Sequence, residues 1–166
     1  GVPMGGELVK DHREGVPHFL IAAMREPDGA NLDRLQIIKG WRDQQGKLHE
    51  KVYDVAWSGE RTRQDNGKLP PIRSTVNLST ADYRNSVGSP ALGIAWQDPD
   101  FHPDESAFYY ARVLQIPTPR WNTYDASVYR TTSKRPSFDP WGRKMEPPPT
   151  VVQERAYSSP IWYDSK

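Results

Sequence analysis

The run Asp98-Pro99-Asp100-Phe101-His102-Pro103-Asp104-Glu105 concentrates more potential metal ligands than other stretches of the chain. Carboxylates on a short loop suit calcium, a hard cation that takes roughly six to eight oxygen ligands. The spacing does not follow an EF-hand, however, and prolines beside aspartates are good turn formers. A solvated turn is the simpler expectation. His12, His18, His49 and His102 stand singly, without the HxH or HExxH spacing that brings imidazoles to one zinc. There is no cysteine, which removes disulfides, thiolate metal sites and cysteine nucleophiles together. The serines occupy no GxSxG turn, and GVPMGGEL has neither the lysine nor the strand-to-helix context of a phosphate-binding loop. Paired carboxylates for acid–base work stay open, because spacing in sequence does not give proximity in space. No nucleophile, base and stabiliser assemble into a catalytic set.

A different signal lies in ARVLQIPTPRWNTYDA, residues 111–126. A good strand runs directly into Pro117-Thr118-Pro119-Arg120-Trp121, where a solvent turn would be expected. One reading is internal: the prolines stiffen the strand exit, Trp121 covers an open end of the core, and Arg120 stacks on a ring or caps carbonyls. The other is an interface, since Trp and Arg are over-represented among residues that anchor partners. Pro117, Pro119, Arg120 and Trp121, with Tyr124, are the candidate interface residues. The two readings merge if this surface faces another domain of the same polypeptide.

The elements that must position these residues are strands. The 166 residues suit one domain with a real core, and six Trp and eight Tyr supply bulky groups to bury although only 36% of residues are apolar. A net charge of +1 with interspersed signs argues against nucleic acid as a partner. FLIAAM, residues 19–24, is far too short for a membrane span, and no signal peptide is visible. The chain starts with Gly1, which points to a piece of something longer.

HFLIAAMR is the first strand expected. In LDRLQIIKGW, Leu35, Ile37 and Lys39 fall on one face of a strand while Leu32, Leu35, Ile38 and Trp41 also fit a helical period, and the β-branched pair and Gly40 favour the strand. HEKVYDVAW alternates with Tyr53, Val55 and Trp57 inward. Further strands are expected at ALGIAW and AFYYARVLQI, with a shorter one in STVNLSTADY. ERAYSSPIWY is expected as a last strand in which Pro160 requires an edge or a bulge. DQQGK is a hairpin connection, and SGERTRQDNGKLPP, residues 58–71, is a long loop. Residues 122–149 read as an irregular, proline-stiffened excursion. With no long amphipathic helix, the expectation is all-β: an antiparallel β-sandwich, immunoglobulin/fibronectin-like, with long irregular Pro-rich loops. A tyrosine of AFYYARV is expected to bond the backbone of a neighbouring connection.

GVPMGGEL, EPDGANLDRLQIIKGW, HEKVYDVAWS, FYYARVLQIPTPRW and ERAYSSPIWY, in that order, resemble the C-terminal part of a bacterial family. Its members carry a domain of unknown function related to the PHP (polymerase and histidinol phosphatase) metal-dependent hydrolases. The resemblance runs along essentially the whole chain. It implies an N-terminal, phosphoesterase-like catalytic barrel that binds a divalent metal, followed by a β-rich region that this chain matches. The family's metal-ligand motifs have no counterpart here, so no catalytic, cofactor or metal residue is carried over. Residues 1–17 are then a linker or boundary with that N-terminal domain. Residues 18–166 are a non-catalytic accessory domain, whose partner is the barrel and whose surface shapes one wall of its substrate cleft. The resemblance also implies a periplasmic or extracellular setting. The alternative from another class is a stand-alone module that binds carbohydrate or protein through exposed aromatics.

Overall fold

Alternating apolar residues in the middle of the chain build the longest strands, and everything else is arranged on them. The computed structural model describes residues 1–9, 15–129, 137–138, 141–146 and 148–165. Strands β1 (Glu7–Val9), β2 (His18–Met24), β3 (Leu32–Arg42), β4 (Leu48–Trp57), β5 (Ala91–Gln97), β6 (Ala107–Gln115) and β7 (Thr118–Pro119) precede helix α1 (Trp121–Tyr129). After it come β8 (Ser137–Phe138), β9 (Lys144–Met145), β10 (Val151–Val152), β11 (Arg155–Tyr157) and β12 (Ile161–Asp164).

A six-stranded sheet runs β1-β12-β6-β3-β4, with β11 also paired to β6. The β3–β4 hairpin turns where Gly46 N–H donates to the Asp43 carbonyl, while the Asp43 carboxylate accepts from the Gln45 and Lys47 amides. β6 is central, antiparallel to β3 on one side and to β11 and β12 on the other. Pro160 explains why the last strand is split in two: it lacks an N–H and sits in the gap between β11 and β12. Within that gap the Ser158 hydroxyl accepts from the Ala111 amide at 2.9 Å, and the Ser158 amide donates to the Ala111 carbonyl at 3.0 Å.

β2 and β5 form a separate two-stranded sheet over one face of the large one. Phe19, Ile21, Ala23, Leu92, Ile94 and Trp96 point from it into a core with Leu35, Ile37, Val55 and Tyr109. The Phe19 ring lies 4.7 Å from that of Tyr109, and Tyr53 lies 5.0 Å from Trp96. On the opposite face the Phe108 ring covers Gly40 so closely that a Cβ there would come within 2.3 Å of it.

The expectation of a mostly β chain holds, and the sheets do not close into a barrel. Pairing is mixed rather than purely antiparallel, because β1 runs parallel to β12. Part of the segment expected as a linker, residues 1–17, is therefore a strand of the main sheet. STVNLSTADY forms no strand, only an isolated Asn77–Asp82 bridge around a turn in which Ala81 takes φ 51°. The Asn77 side chain accepts from the Ser79 amide and hydroxyl, a local bond that competes with a ladder. The tyrosine that bonds the backbone of a neighbouring connection is Tyr163, whose hydroxyl donates to the Pro103 carbonyl at 2.8 Å, whereas Tyr109 of AFYYARV donates to the Asp98 side chain. The stretch 122–149 is not wholly irregular, since it contains most of α1. Residues 130–136, 139–140 and 147 of that stretch lie outside the described residues.

Candidate interaction surface

The acidic loop after β5 is exposed turn along most of its length, but its first aspartate is buried. Asp98 is 2% exposed, as is Lys39 from the inward face of β3. Their Oδ2 and Nζ atoms are 2.6 Å apart, and Lys39 also donates to the Asp100 carbonyl at 2.8 Å. Asp98 accepts further from the Tyr109 hydroxyl at 2.8 Å and the Asp100 amide at 2.9 Å. Asp100 in turn accepts from the Tyr53 hydroxyl at 2.6 Å and pairs with Lys51. Lys51 and then Tyr53 hold the Asp100 carboxyl below the usual carboxylate range. Burial, followed by the bond to Asp98, pushes the Tyr109 hydroxyl well above an ordinary phenol, and burial and Asp100 do the same for Tyr53. Such groups stay neutral as donors to the carboxylates. Among the described residues no group of three or more His, Asp or Glu is placed to hold a metal ion.

Asp33 repeats the pattern at the other end of β3. Fully buried, it accepts from Arg61 at 2.6 Å, Arg34 at 3.0 Å and Gln153 at 3.1 Å. Arg61 and Arg34 also donate to the Pro70 carbonyl, which fastens the long 58–71 loop to the sheet. Both clusters have their charges matched by protein partners.

The Pro-Thr-Pro-Arg-Trp corner divides between the two readings. Ile116 is completely buried, its amide donating to the Asn31 carbonyl at 2.8 Å. Thr118 and Pro119 are buried and pair with Val152 and Val151, Pro117 is half-buried, and so is Arg120. Packing inside the chain therefore claims the first half of the corner. The second half starts α1. Its first turn is tied to the 148–150 segment: Arg120 N–H and the Thr123 hydroxyl both donate to the Thr150 carbonyl, and the Asn122 amide donates to the Pro148 carbonyl.

These ties give α1 an inverted polarity. The buried residues of the helix are Asn122 and Thr123, whereas Trp121 is 61%, Tyr124 45%, Val128 71% and Tyr129 72% exposed. At about 100° per residue the four exposed groups share one side, with the exposed Asp125 among them. A surface helix ordinarily turns its apolar stripe toward its own core. Sequence reasoning placed Trp121 and Tyr124 on this surface but missed Val128 and Tyr129, for which the i, i+3, i+7, i+8 spacing was the available signal.

The outer face of the large sheet carries a second group of rings. Phe108 stacks beside Tyr110 at 6.3 Å and 10°, but Trp162 is tilted 52° from Phe108 and Tyr157 47° from Tyr110. The tilts break any flat platform of the kind that stacks on sugars. No described helix is long and apolar enough to cross a membrane.

Comparison with curated proteins found no match, and comparison with solved structures found none. The family comparison matched residues 1–165 to the family described as "Protein of unknown function (DUF3604)". With nearly the whole chain covered, the protein belongs to the DUF3604 family.

Proposed function

We propose that this chain is a non-catalytic, sandwich-like β-domain that docks a catalytic domain of the same polypeptide through α1. The observation that carries the reading is the inverted helix, which holds two polar side chains inward and presents Trp121, Tyr124, Val128 and Tyr129 outward. Exposed aromatics on one face are the composition of interface anchors rather than of a solvated helix. Pro117, Pro119 and Arg120 set the helix at a fixed angle and belong to the supporting rim. Following the resemblance of the sequence, the docked domain is a PHP-like, metal-dependent hydrolase barrel of phosphoesterase type. Its divalent metal sits in the barrel, this domain walls one side of the substrate cleft, and the whole works outside the cytoplasm.

The test is a polypeptide that joins this chain to the barrel, with Trp121→Ala and Tyr129→Ala introduced together. Loss of a desolvated aromatic anchor typically costs at least ~2 kcal/mol of association. Domain docking, followed by limited proteolysis of the junction, should weaken by at least about tenfold. The melting temperature of the isolated 166-residue chain should stay the same. Unaltered docking and unaltered phosphoesterase turnover would reject the proposal.

A further inference from the structure

The segment between β4 and β5 holds no regular strand, yet its middle is a narrow ribbon on a fixed frame. Asn77 and Asp82 exchange backbone bonds of 2.8 and 3.2 Å at its tip. Two residues further out, the Thr75 hydroxyl donates to the Arg84 carbonyl at 2.7 Å and accepts from the Arg84 amide at 3.1 Å. The base is pinned just ahead of β3. There the Asn85 side chain accepts from the Asn31 amide, and the Asn31 side chain donates to the carbonyls of Asn85 and Val87. Counting outward by two from Asn77 and Asp82 sets Thr75 opposite Arg84 and Arg73 opposite Ser86. All six line one recess of about 360 Å³, which Ser74 and Tyr83 complete. That volume lies in the usual range of small-molecule sites, about 300–1,000 Å³.

Arg73 and Arg84 stand on opposite arms of the ribbon, one rung apart. Arg25, Arg34, Arg61, Arg63 and Arg112 all donate to protein acceptors. Neither recess guanidinium has a hydrogen bond or ion pair among the described residues, and the Ser74, Tyr83 and Ser86 hydroxyls have no acceptor there. An arginine fork donates to two oxygens at once, through bonds about twice as strong as neutral ones. Two forks lining one space therefore suit a ligand group with more oxygens and more charge than a carboxylate carries. A phosphate monoester has three such oxygens and a charge of about −1.5 to −2 at pH 7. Asp82 is the opposing charge in the recess. Its Oδ1 accepts from the Tyr83 amide at 2.7 Å, and it pairs with neither arginine. Beside two cations it leaves the recess net positive, and its second oxygen can accept from a ligand hydroxyl.

We propose that this recess binds the phosphate monoester of a sugar or polyol. The phosphoryl oxygens accept from Arg73 and Arg84, and a ligand hydroxyl donates to Asp82. Ser74, Tyr83 and Ser86 add neutral donors around the phosphate. The bonds of Thr75 and Asn85 hold both arms in place before the ligand arrives, so little ordering is left to oppose binding. The site is separate from α1 and does not rest on the docking proposed for that helix.

The probe is glycerol phosphate, titrated into the 166-residue chain at about 0.1 M salt, which screens long-range attraction, and followed by calorimetry and amide chemical shifts. Binding should saturate at one site and move the amides of residues 73–86 before others. Arg73→Gln and Arg84→Gln should each weaken it by at least about tenfold and, with no protein bond to lose, keep the melting temperature. Arg155→Gln, at an exposed arginine outside the recess, should bind as the unaltered chain does. Asp82→Asn keeps an acceptor for the Tyr83 amide and removes the opposing charge, so inorganic phosphate should bind it more tightly. Methyl sulfate, tetrahedral but singly charged, should bind at least about tenfold more weakly than methyl phosphate. The proposal is overturned by full binding in either recess variant, by equal weakening in Arg155→Gln, or by unchanged phosphate affinity in Asp82→Asn. Methyl sulfate matching methyl phosphate, methyl phosphate matching glycerol phosphate, or no binding at about 10 mM glycerol phosphate would overturn it too.

Discussion

Removing the ammonium of Lys39 tests the buried polar cluster most sharply. Lys39→Met keeps the length and apolar stem of the side chain and deletes the charge that sits 2.6 Å from Asp98. At an effective dielectric of about 20 the gross attraction at that distance is roughly 6 kcal/mol, much of it offset by the desolvation of both ions. Losing one partner strands the other charge, and breaking a buried pair in this way typically costs about 3–5 kcal/mol. Asp98 would still accept from Tyr109 at 2.8 Å and from the Asp100 amide at 2.9 Å, which places Lys39→Met at the lower end. Asp98→Ala is worse, because it strands the Lys39 ammonium and the Tyr109 hydroxyl together. Against a total stability of about 5–15 kcal/mol these are large losses. For a chain of this size about 3 kcal/mol corresponds to a fall of roughly 6–12 °C in melting temperature. Thermal and urea unfolding followed by circular dichroism would measure it. The double variant Lys39→Met/Asp98→Asn should lose clearly less than the sum of its two singles, because each single strands a charge that the double does not contain. A Lys39→Met chain that melts within about 2 °C of the unaltered protein would refute the reasoning.

Tyr109 and Tyr53 ionise above the ordinary phenol range in the folded chain, so the stability they confer is complete below about pH 10 and drains as pH rises beyond it. Alkaline titration of the urea midpoint should show that decline, and Tyr109→Phe should make it shallower while costing about 1.5–3 kcal/mol at neutral pH through the lost bond to Asp98. Asp100 behaves oppositely: its depressed folded value means that its contribution is present above about pH 4 and disappears as pH falls through the folded value. Asp100→Asn should therefore be less stable than the unaltered chain near neutrality, with the two converging in acid-unfolding curves as pH falls through the folded value. At Gly88 (φ +81°) an added Cβ would stand 2.6 Å from Asn31 Cβ and 2.7 Å from Ile116 Cγ2, so Gly88→Ala should lower the unfolding free energy measured in urea by about 1–3 kcal/mol, more than an alanine substitution on the exposed turn at Gly67.

Strand positions were legible because their cause is local. Tyr53 and Val55 alternate with residues of the other face and mark β4, the apolar run ALGIAW marks β5, and in β3, where a helical period also fits, the β-branched residues and Gly40 favour the strand before any contact is known. Local chemistry likewise marked the DQQGK turn and the 58–71 loop, whereas Pro160, expected at an edge or bulge within one strand, falls in a gap between β11 and β12. The α1 helix was hidden because its apolar residues occupy the outer side. Periodicity then looked like scattered aromatics in a proline-rich stretch, and the bonds that hold the helix run to residues 148–150. Asp98 was misjudged as solvated for a related reason: its acidic, proline-bearing neighbourhood has the composition of a turn, whatever lies beneath it. A warning was present in Lys39, a cation placed on the same face as Leu35 and Ile37.

The sequence by itself determined that this chain would be built mostly from strands, where the longest of them run, and which of their faces are apolar, since each follows from torsional preference and alternation over a few residues. Only the tertiary structure decided that β1 joins β12 in parallel, that β2 and β5 stand apart as a small sheet, and that Lys39 meets Asp98 across 59 positions of chain. Those outcomes depend on which surfaces exclude water from one another, a quantity shared between distant segments and written in neither of them alone.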